Sequence, residues 1–136
     1  MNPQAAGAFA YLDASAFVKL VVREPESNAL AGALKGWPRR VSSSLLVVEA
    51  VRATARVSQE ASRRAERVLA GVTLIPADLP LLRQAARLAP SALRSLDAVH
   101  LATALSLGTE LGAFFAYDER LCAAAGAAAL AVESPA

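Results

Sequence analysis

The sequence predicts an α/β fold, a three-layer α/β/α sandwich around a short, central, mainly parallel sheet. Three features predict it. Short apolar runs that stop at turn or capping residues alternate with segments of helical periodicity, the pattern of parallel strands joined by helical crossovers. One of those segments, residues 96–107, is apolar almost all round, so it is a helix buried on every side. Hydrophobic residues make up 55% of the 136 residues, which supports one domain over residues 1–136 with a core of its own.

Residues 8–12 form an apolar run that reads as the first strand and stops at Asp13. Residues 14–22 follow as a short helix with Phe17, Leu20 and Val21 on one side. Glu24-Pro25-Glu26-Ser27 opens a second helix, because proline and acids suit a first turn, and Gly36-Trp37-Pro38 ends it after Lys35. Trp37 reads as a loop anchor. Residues 39–42 are a short strand, and the serines at 42–44 offer N-caps to a helix over 45–57. Residues 59–70 are a helix with Arg63, Arg64, Glu66 and Arg67 on a solvated face, stopped by Gly71. Residues 72–75 are a strand. Asp78 caps a helix over 79–88, and Pro90 breaks it. Ser95 caps the buried helix, which Gly108 ends. Residues 113–117 are the fourth strand, Asp118 starts a helix that runs to Ala125, and 130–132 form the last short strand.

Composition closes off several classes of function. Cys122 is the only cysteine and His100 the only histidine. That excludes a disulfide framework, multi-cysteine zinc or iron–sulfur sites, and paired-histidine metal sites within one chain. No apolar stretch reaches the roughly 18 residues of a membrane span, and the longest, near 98–109 and 121–132, fit buried segments better. The first seven residues carry no basic leader, so the expected location is the cytoplasm. The net charge of +2 is mildly basic. Most of the basic residues are arginine, whose planar fork suits phosphate, but that bias alone does not predict nucleic-acid binding.

The aspartates are more informative. Asp78 is accounted for as a cap. Asp13 follows the first strand, Asp118 follows the fourth, and Asp97 opens the buried helix that leads into the fourth. Open parallel sheets bind ligands beyond the carboxyl ends of their strands, so these three carboxylates are expected to share a cleft. Helix capping accounts for any one of them; it does not require all three at one end of the sheet. Glu49 joins them on different grounds. It stands among Leu45, Leu46 and Ala53, with Arg52 three residues on. A carboxylate at the edge of a core needs a cation, from Arg52 or from a metal. Four carboxylates in one cleft raise one another's pKa or bind a hard cation. Oxygen-only ligands suit Mg²⁺ or Mn²⁺, ions that bind phosphate oxygens and activate water.

Four segments carry a resemblance. They are Tyr11-Leu12-Asp13-Ala14-Ser15-Ala16-Phe17-Val18-Lys19-Leu20, Ser42-Ser43-Ser44-Leu45-Leu46-Val47-Val48-Glu49, Leu96-Asp97-Ala98-Val99-His100-Leu101-Ala102-Thr103-Ala104 and Ala116-Tyr117-Asp118-Glu119-Arg120-Leu121. In order and spacing they resemble the motifs of PIN-domain ribonucleases, especially the VapC toxins of type II toxin–antitoxin systems. The resemblance implies that Asp13, Glu49, Asp97 and Asp118 hold Mg²⁺ or Mn²⁺. It implies that Ser15 is the small hydroxyl residue of the site, with Ser43 a further serine that matches. Lys19 matches the family's lysine, able to reach a phosphate or to salt-bridge to the acids. Ala116 departs from the pattern, since many members have threonine there.

The activity implied is metal-dependent endonucleolytic cleavage of RNA by a toxin. The partners implied are a homodimer mate and a cognate antitoxin whose C-terminal segment covers the active-site groove. Arg23, Arg94 and Arg120 fall near strand ends and are the candidate RNA contacts. The resemblance implies that His100 is a packing or hydrogen-bonding residue of the buried helix, and Cys122 reads as inert packing. The stripe Phe17, Leu20, Val21, Leu30 and Leu34 is expected to pack partly on the sheet and partly to line an antitoxin groove beside Asp13. The competing functions are an RNA-processing nuclease that is not a toxin and a non-catalytic binding module of the same fold. A receiver domain would need a late lysine, but the only lysines are Lys19 and Lys35. A haloacid-dehalogenase-type phosphatase would need aspartate where Ser15 stands.

Overall fold

The computed structural model describes residues 7–136. The N-terminal residues 1–6, on which most of the leader reading rests, lie outside them. Five strands form one sheet: β1 (Phe9–Leu12), β2 (Arg39–Ser43), β3 (Thr73–Ile75), β4 (Leu111–Phe115) and β5 (Val132–Glu133). Their order is β3-β2-β1-β4-β5, and every neighbouring pair is parallel, so the sheet is wholly rather than mainly parallel. β1 is therefore central, and its side chains alternate between two cores as a pleated strand requires. Ala10 and Leu12 join Phe17, Leu30, Leu34 and Leu46 on one face. Tyr11 points the other way, to Leu101, Phe114 and Leu121.

Seven α-helices are described: α1 (Ala14–Lys19), α2 (Ser27–Leu34), α3 (Leu46–Ala55), α4 (Gln59–Leu69), α5 (Leu79–Ala86), α6 (Ser95–Leu105) and α7 (Glu119–Ala127). Helix α6 is buried without interruption from Ala98 to Ala104, as its all-round apolarity predicts. Helix α4 buries Ala61, Ala65 and Leu69 and leaves its arginines exposed.

Several expectations are corrected. Helix α1 stops at Lys19 and not at Val22, because the Leu20 and Val21 amides tighten onto the Phe17 and Val18 carbonyls. Helix α2 begins at Ser27. Ser27 Oγ accepts from the Glu24 amide and donates to the Val22 carbonyl, closing a turn ahead of the helix. Ser95 is the first residue of α6 and not its cap; the N-cap is Arg94, which makes no side-chain capping bond. The three serines do not cap α3 either. Ser42 Oγ donates to the Leu12 carbonyl across the strands, Ser43 Oγ accepts from the Leu45 amide, and Ser44 Oγ accepts from the Ala77 amide. The stripe Phe17, Val21, Leu30 and Leu34 is fully core, with Leu20 packed against it, so it offers no groove to a partner. β4 starts two residues early because a single 3₁₀ turn, Gly108–Glu110, delivers the chain directly into it.

Trp37 does anchor its turn, at the amino end of the sheet. A Cβ on Gly112 would collide with the Trp37 ring and with the Gly7 carbonyl oxygen. Only glycine lets β4, Trp37 and the segment entering β1 meet there.

Candidate active site

The strand order turns back between β1 and β4, the place where an open parallel sheet leaves a crevice at its carboxyl end. A cleft of about 730 Å³ opens there. Asp13 follows β1, Asp118 follows β4, Glu49 comes from α3 and Asp97 from the first turn of α6, and all four line this cleft. Ser15 and Lys19 line it as well. Ser43 and Arg120 are not among the lining residues; Ser43 is buried and Arg120 is exposed to solvent. Arg23 is likewise exposed and outside it, whereas Arg94 stands on its rim.

Each carboxylate is held by neighbouring side chains or amides, Asp97 and Asp118 by the same arginine. Asp13 is only 3% exposed. Its Oδ1 accepts from the Ala16 amide at 2.8 Å, capping α1. Ser15 Oγ lies 2.7 and 2.8 Å from the two Asp13 oxygens and donates its one hydrogen there. The same Ser15 oxygen accepts from the Tyr117 amide at 3.0 Å. Ser15 thus clips the end of β1 to the end of β4, and its hydrogen is already committed. Burial pushes the Asp13 carboxyl from 3.8 up to about 6. The hydrogen bonds from Ala16 and Ser15 oppose that rise, and the nearby Asp97 charge adds to it.

Glu49 is held by His100 and not by Arg52. Glu49 Oε1 accepts from His100 Nε2 at 2.7 Å, and the other ring nitrogen, Nδ1, lies 2.7 Å from the Tyr11 hydroxyl. With Nε2–H pointing at a carboxylate, Nδ1 is left to accept from Tyr11 O–H. Burial raises the Tyr11 pKa, so that hydroxyl keeps its proton. His100 is 1% exposed. On the buried helix it hydrogen-bonds at both ring nitrogens and links the core to the cleft.

Asp97 and Asp118 share one partner. Arg94 Nε donates to Asp97 Oδ2 at 3.1 Å and Arg94 Nη2 donates to Asp118 Oδ2 at 3.0 Å. Asp118 Oδ1 also caps α7 by accepting from the Leu121 amide. Lys19 does not bridge to the four acids. It pairs with Glu26 at 2.9 Å and Glu24 at 3.3 Å, and lies 4.7 Å from the centre of the Tyr117 ring. Two of these partnerships leave a signal in the sequence. Arg94 precedes Asp97 by three residues, a helical ion-pair spacing. A lone histidine on an apolar helix needs partners for both nitrogens, and Tyr11 and Glu49 are polar residues set in apolar segments.

All donors here are oxygens apart from His100, which fits a hard cation. No three of the described His, Cys, Asp and Glu side chains close on a single point; Asp13 is turned to Ser15 and Ala16, Glu49 to His100, and Asp97 and Asp118 to Arg94. The cleft nevertheless gathers five acids, Asp13, Glu24, Glu49, Asp97 and Asp118, against two bases, Lys19 and Arg94. A cleft of that balance calls for a cation before an anionic phosphate can enter.

A family model described as PIN domain matches residues 10–127. The chain is 46% identical over 125 residues to ribonuclease VapC46 of Mycobacterium tuberculosis, a match that covers 92% of this chain and 96% of the relative. It belongs to the PIN-domain family, among the VapC ribonucleases. Two further VapC relatives from the same species support this. Ribonuclease VapC35 is 43% identical over 129 residues, covering 92% of this chain and 96% of its own. Ribonuclease VapC47 is 39% identical over 116 residues, covering 82% and 85%. In fold, this VapC chain matches the crystal structure of M. tuberculosis VapC20, a Sarcin-Ricin loop cleaving toxin, with a TM-score of 0.70 at 18% identity over 85% of this chain and 94% of that one. It matches VapBC2 of Rickettsia felis bound to a promoter DNA fragment equally well, with a TM-score of 0.70 at 11% identity over 92% and 97%. Among the described residues, no helix is long and apolar enough to cross a membrane.

Proposed function

We propose that this VapC-family chain is a Mg²⁺- or Mn²⁺-dependent endoribonuclease and the toxin of an antitoxin pair, with Asp13, Glu49, Asp97 and Asp118 as its metal ligands. The observation that carries the reading is the convergence of these four carboxylates, from four separate elements, on one cleft at the β1/β4 switch point. Such a group of like charges is costly for the metal-free fold. A divalent ion, when bound, supplies a nucleophilic water near neutral pH and offsets charge gathering on the phosphate.

The chain's own residues set the stage for that ion. Ser15 and the Ala16 amide orient the Asp13 carboxylate, and His100, backed by Tyr11, orients that of Glu49. Burial of Asp13 and His100 at the floor keeps bulk water from competing there. RNA lies along the open side of the cleft, where Arg94 and the exposed Leu96 form the rim.

The antitoxin is a VapB-type partner whose segment enters the same cleft, and its apolar contacts are Val18, Leu96 and Tyr117 rather than the buried α1–α2 stripe. The protein acts as a homodimer in the cytoplasm. The test is cleavage of total cellular RNA by the purified, refolding-checked protein. Cleavage lost in excess EDTA, restored by Mg²⁺ or Mn²⁺, and absent in Asp97→Asn is the expected result. Undiminished cleavage in EDTA overturns the reading.

A further inference from the structure

Two cations reach the cleft, and they are held in different ways. Lys19 is fixed by two glutamates and the Tyr117 ring, none of them among the four proposed ligands. Arg94 is held by two of those ligands. Its side chain is 66% exposed, and among the described residues its side-chain hydrogen bonds go to Asp97 and Asp118. It sits at the N-cap of α6 without a capping bond of its own. The oxygens it engages, Oδ2 of Asp97 and Oδ2 of Asp118, are ones a divalent ion at this site would need. One carboxylate oxygen pair cannot serve a guanidinium and a divalent ion fully at the same time, since the two cations repel across a few ångströms.

We propose that Arg94 is a metal-displaced phosphate ligand: it bridges Asp97 and Asp118 in the metal-free protein and passes to the RNA phosphate once a divalent ion takes those carboxylates. The proposal rests on the metal-nuclease reading above. A guanidinium has five N–H donors in a planar fork, so leaving two carboxylate oxygens for two phosphate oxygens conserves its hydrogen bonding. The root of the side chain stays at the rim while the tip moves, and at 66% exposure little packing is lost. Before metal arrives, the same contact lowers the repulsion between Asp97 and Asp118. After it leaves, the arginine supplies positive charge on the side from which RNA enters. Lysine is a poor substitute, because a single ammonium cannot span both aspartates or grip a phosphate with two parallel bonds.

The experiment compares wild type with Arg94→Gln and Arg94→Lys. Mn²⁺ affinity is read without RNA from the electron paramagnetic resonance signal of free Mn²⁺. Cleavage of a quenched random-sequence RNA oligonucleotide is read at saturating Mn²⁺. Arg94→Gln is expected to bind Mn²⁺ roughly fivefold more tightly, the scale on which exposed ion pairs compete, yet to cleave at least about tenfold more slowly, as loss of a charged phosphate contact implies. Arg94→Lys is expected to fall between. Unchanged or weaker Mn²⁺ binding in Arg94→Gln overturns the displacement, and unchanged cleavage overturns the phosphate contact. Wild type that binds no Mn²⁺ and cleaves in EDTA overturns the metal-nuclease reading and this proposal with it. Wild type that depends on Mn²⁺, beside an Arg94→Gln that matches it in both measurements, overturns this proposal alone.

Discussion

Replacing Asp13 by asparagine should stabilise the metal-free protein at pH 7.5 and leave its stability almost unchanged at pH 4. The folded Asp13 carboxyl holds its proton up to about pH 6, against an ordinary value of 3.8, chiefly because it is buried. Between those two values the folded protein binds more protons than the unfolded chain. Stability therefore falls as pH rises through that window and is level above it. The rise from 3.8 to about 6 corresponds to about 3 kcal/mol of destabilisation of the wild type at pH 7.5, and to well under about 1 kcal/mol at pH 4. Asparagine is neutral at both pH values. It keeps an oxygen to accept from Ala16 and leaves Ser15 a partner. For a chain of 136 residues, 3 kcal/mol amounts to about 10 °C in melting temperature. The assay is thermal and urea denaturation of EDTA-stripped wild type and Asp13→Asn at both pH values. Adding Mg²⁺ should then reverse the ranking at pH 7.5, because ligand binding stabilises only a protein that retains its ligands. If Asp13→Asn in EDTA is no more stable than wild type at pH 7.5, or if the difference is the same at pH 4, the argument from a buried, strained charge is wrong.

Two further outcomes follow from the core beneath the cleft. His100→Ala leaves the Tyr11 hydroxyl and the Glu49 carboxylate without their shared partner and opens a void, so urea unfolding should register a loss of about 3–4 kcal/mol, with a loss of cleavage in whatever fraction stays folded. Gly112→Ala drives a methyl into the Trp37 ring and the Gly7 carbonyl; it should cost about 2–4 kcal/mol while leaving kcat per folded molecule unchanged, because the contact lies at the opposite end of the sheet from the carboxylates.

Much of this was legible in the chain itself. The alternation of apolar runs and helical segments specifies parallel crossovers, and strand ends are where such a sheet exposes side chains. Asp13 and Asp118 could therefore be placed from position alone. Asp97 could be placed by its step into a helix too apolar to lie anywhere but inside. Element boundaries were less legible. The serines at 42–44 and Ser95 have the chemistry of caps, but Ser42 turns to the Leu12 carbonyl, Ser43 to the Leu45 amide and Ser44 to the Ala77 amide, and Ser95 falls one residue inside the helix, behind Arg94. The α1–α2 stripe has the spacing of a groove and of a core alike; only the packing of Leu30 and Leu34 against Phe17 makes it core.

The sequence by itself determined the fold class and the residue types of the cleft, because hydrophobic period and strand-end position are local properties. Tertiary structure alone decided who holds whom. Glu49 turns to His100, 51 positions away, rather than to its helix neighbour Arg52. Ser15 reaches an amide 102 positions on. Arg94 spans two aspartates, of which Asp118 lies 24 positions further along the chain. Those pairings depend on strand order, which places β1 beside β4, and strand order is a global choice that no short window of sequence contains.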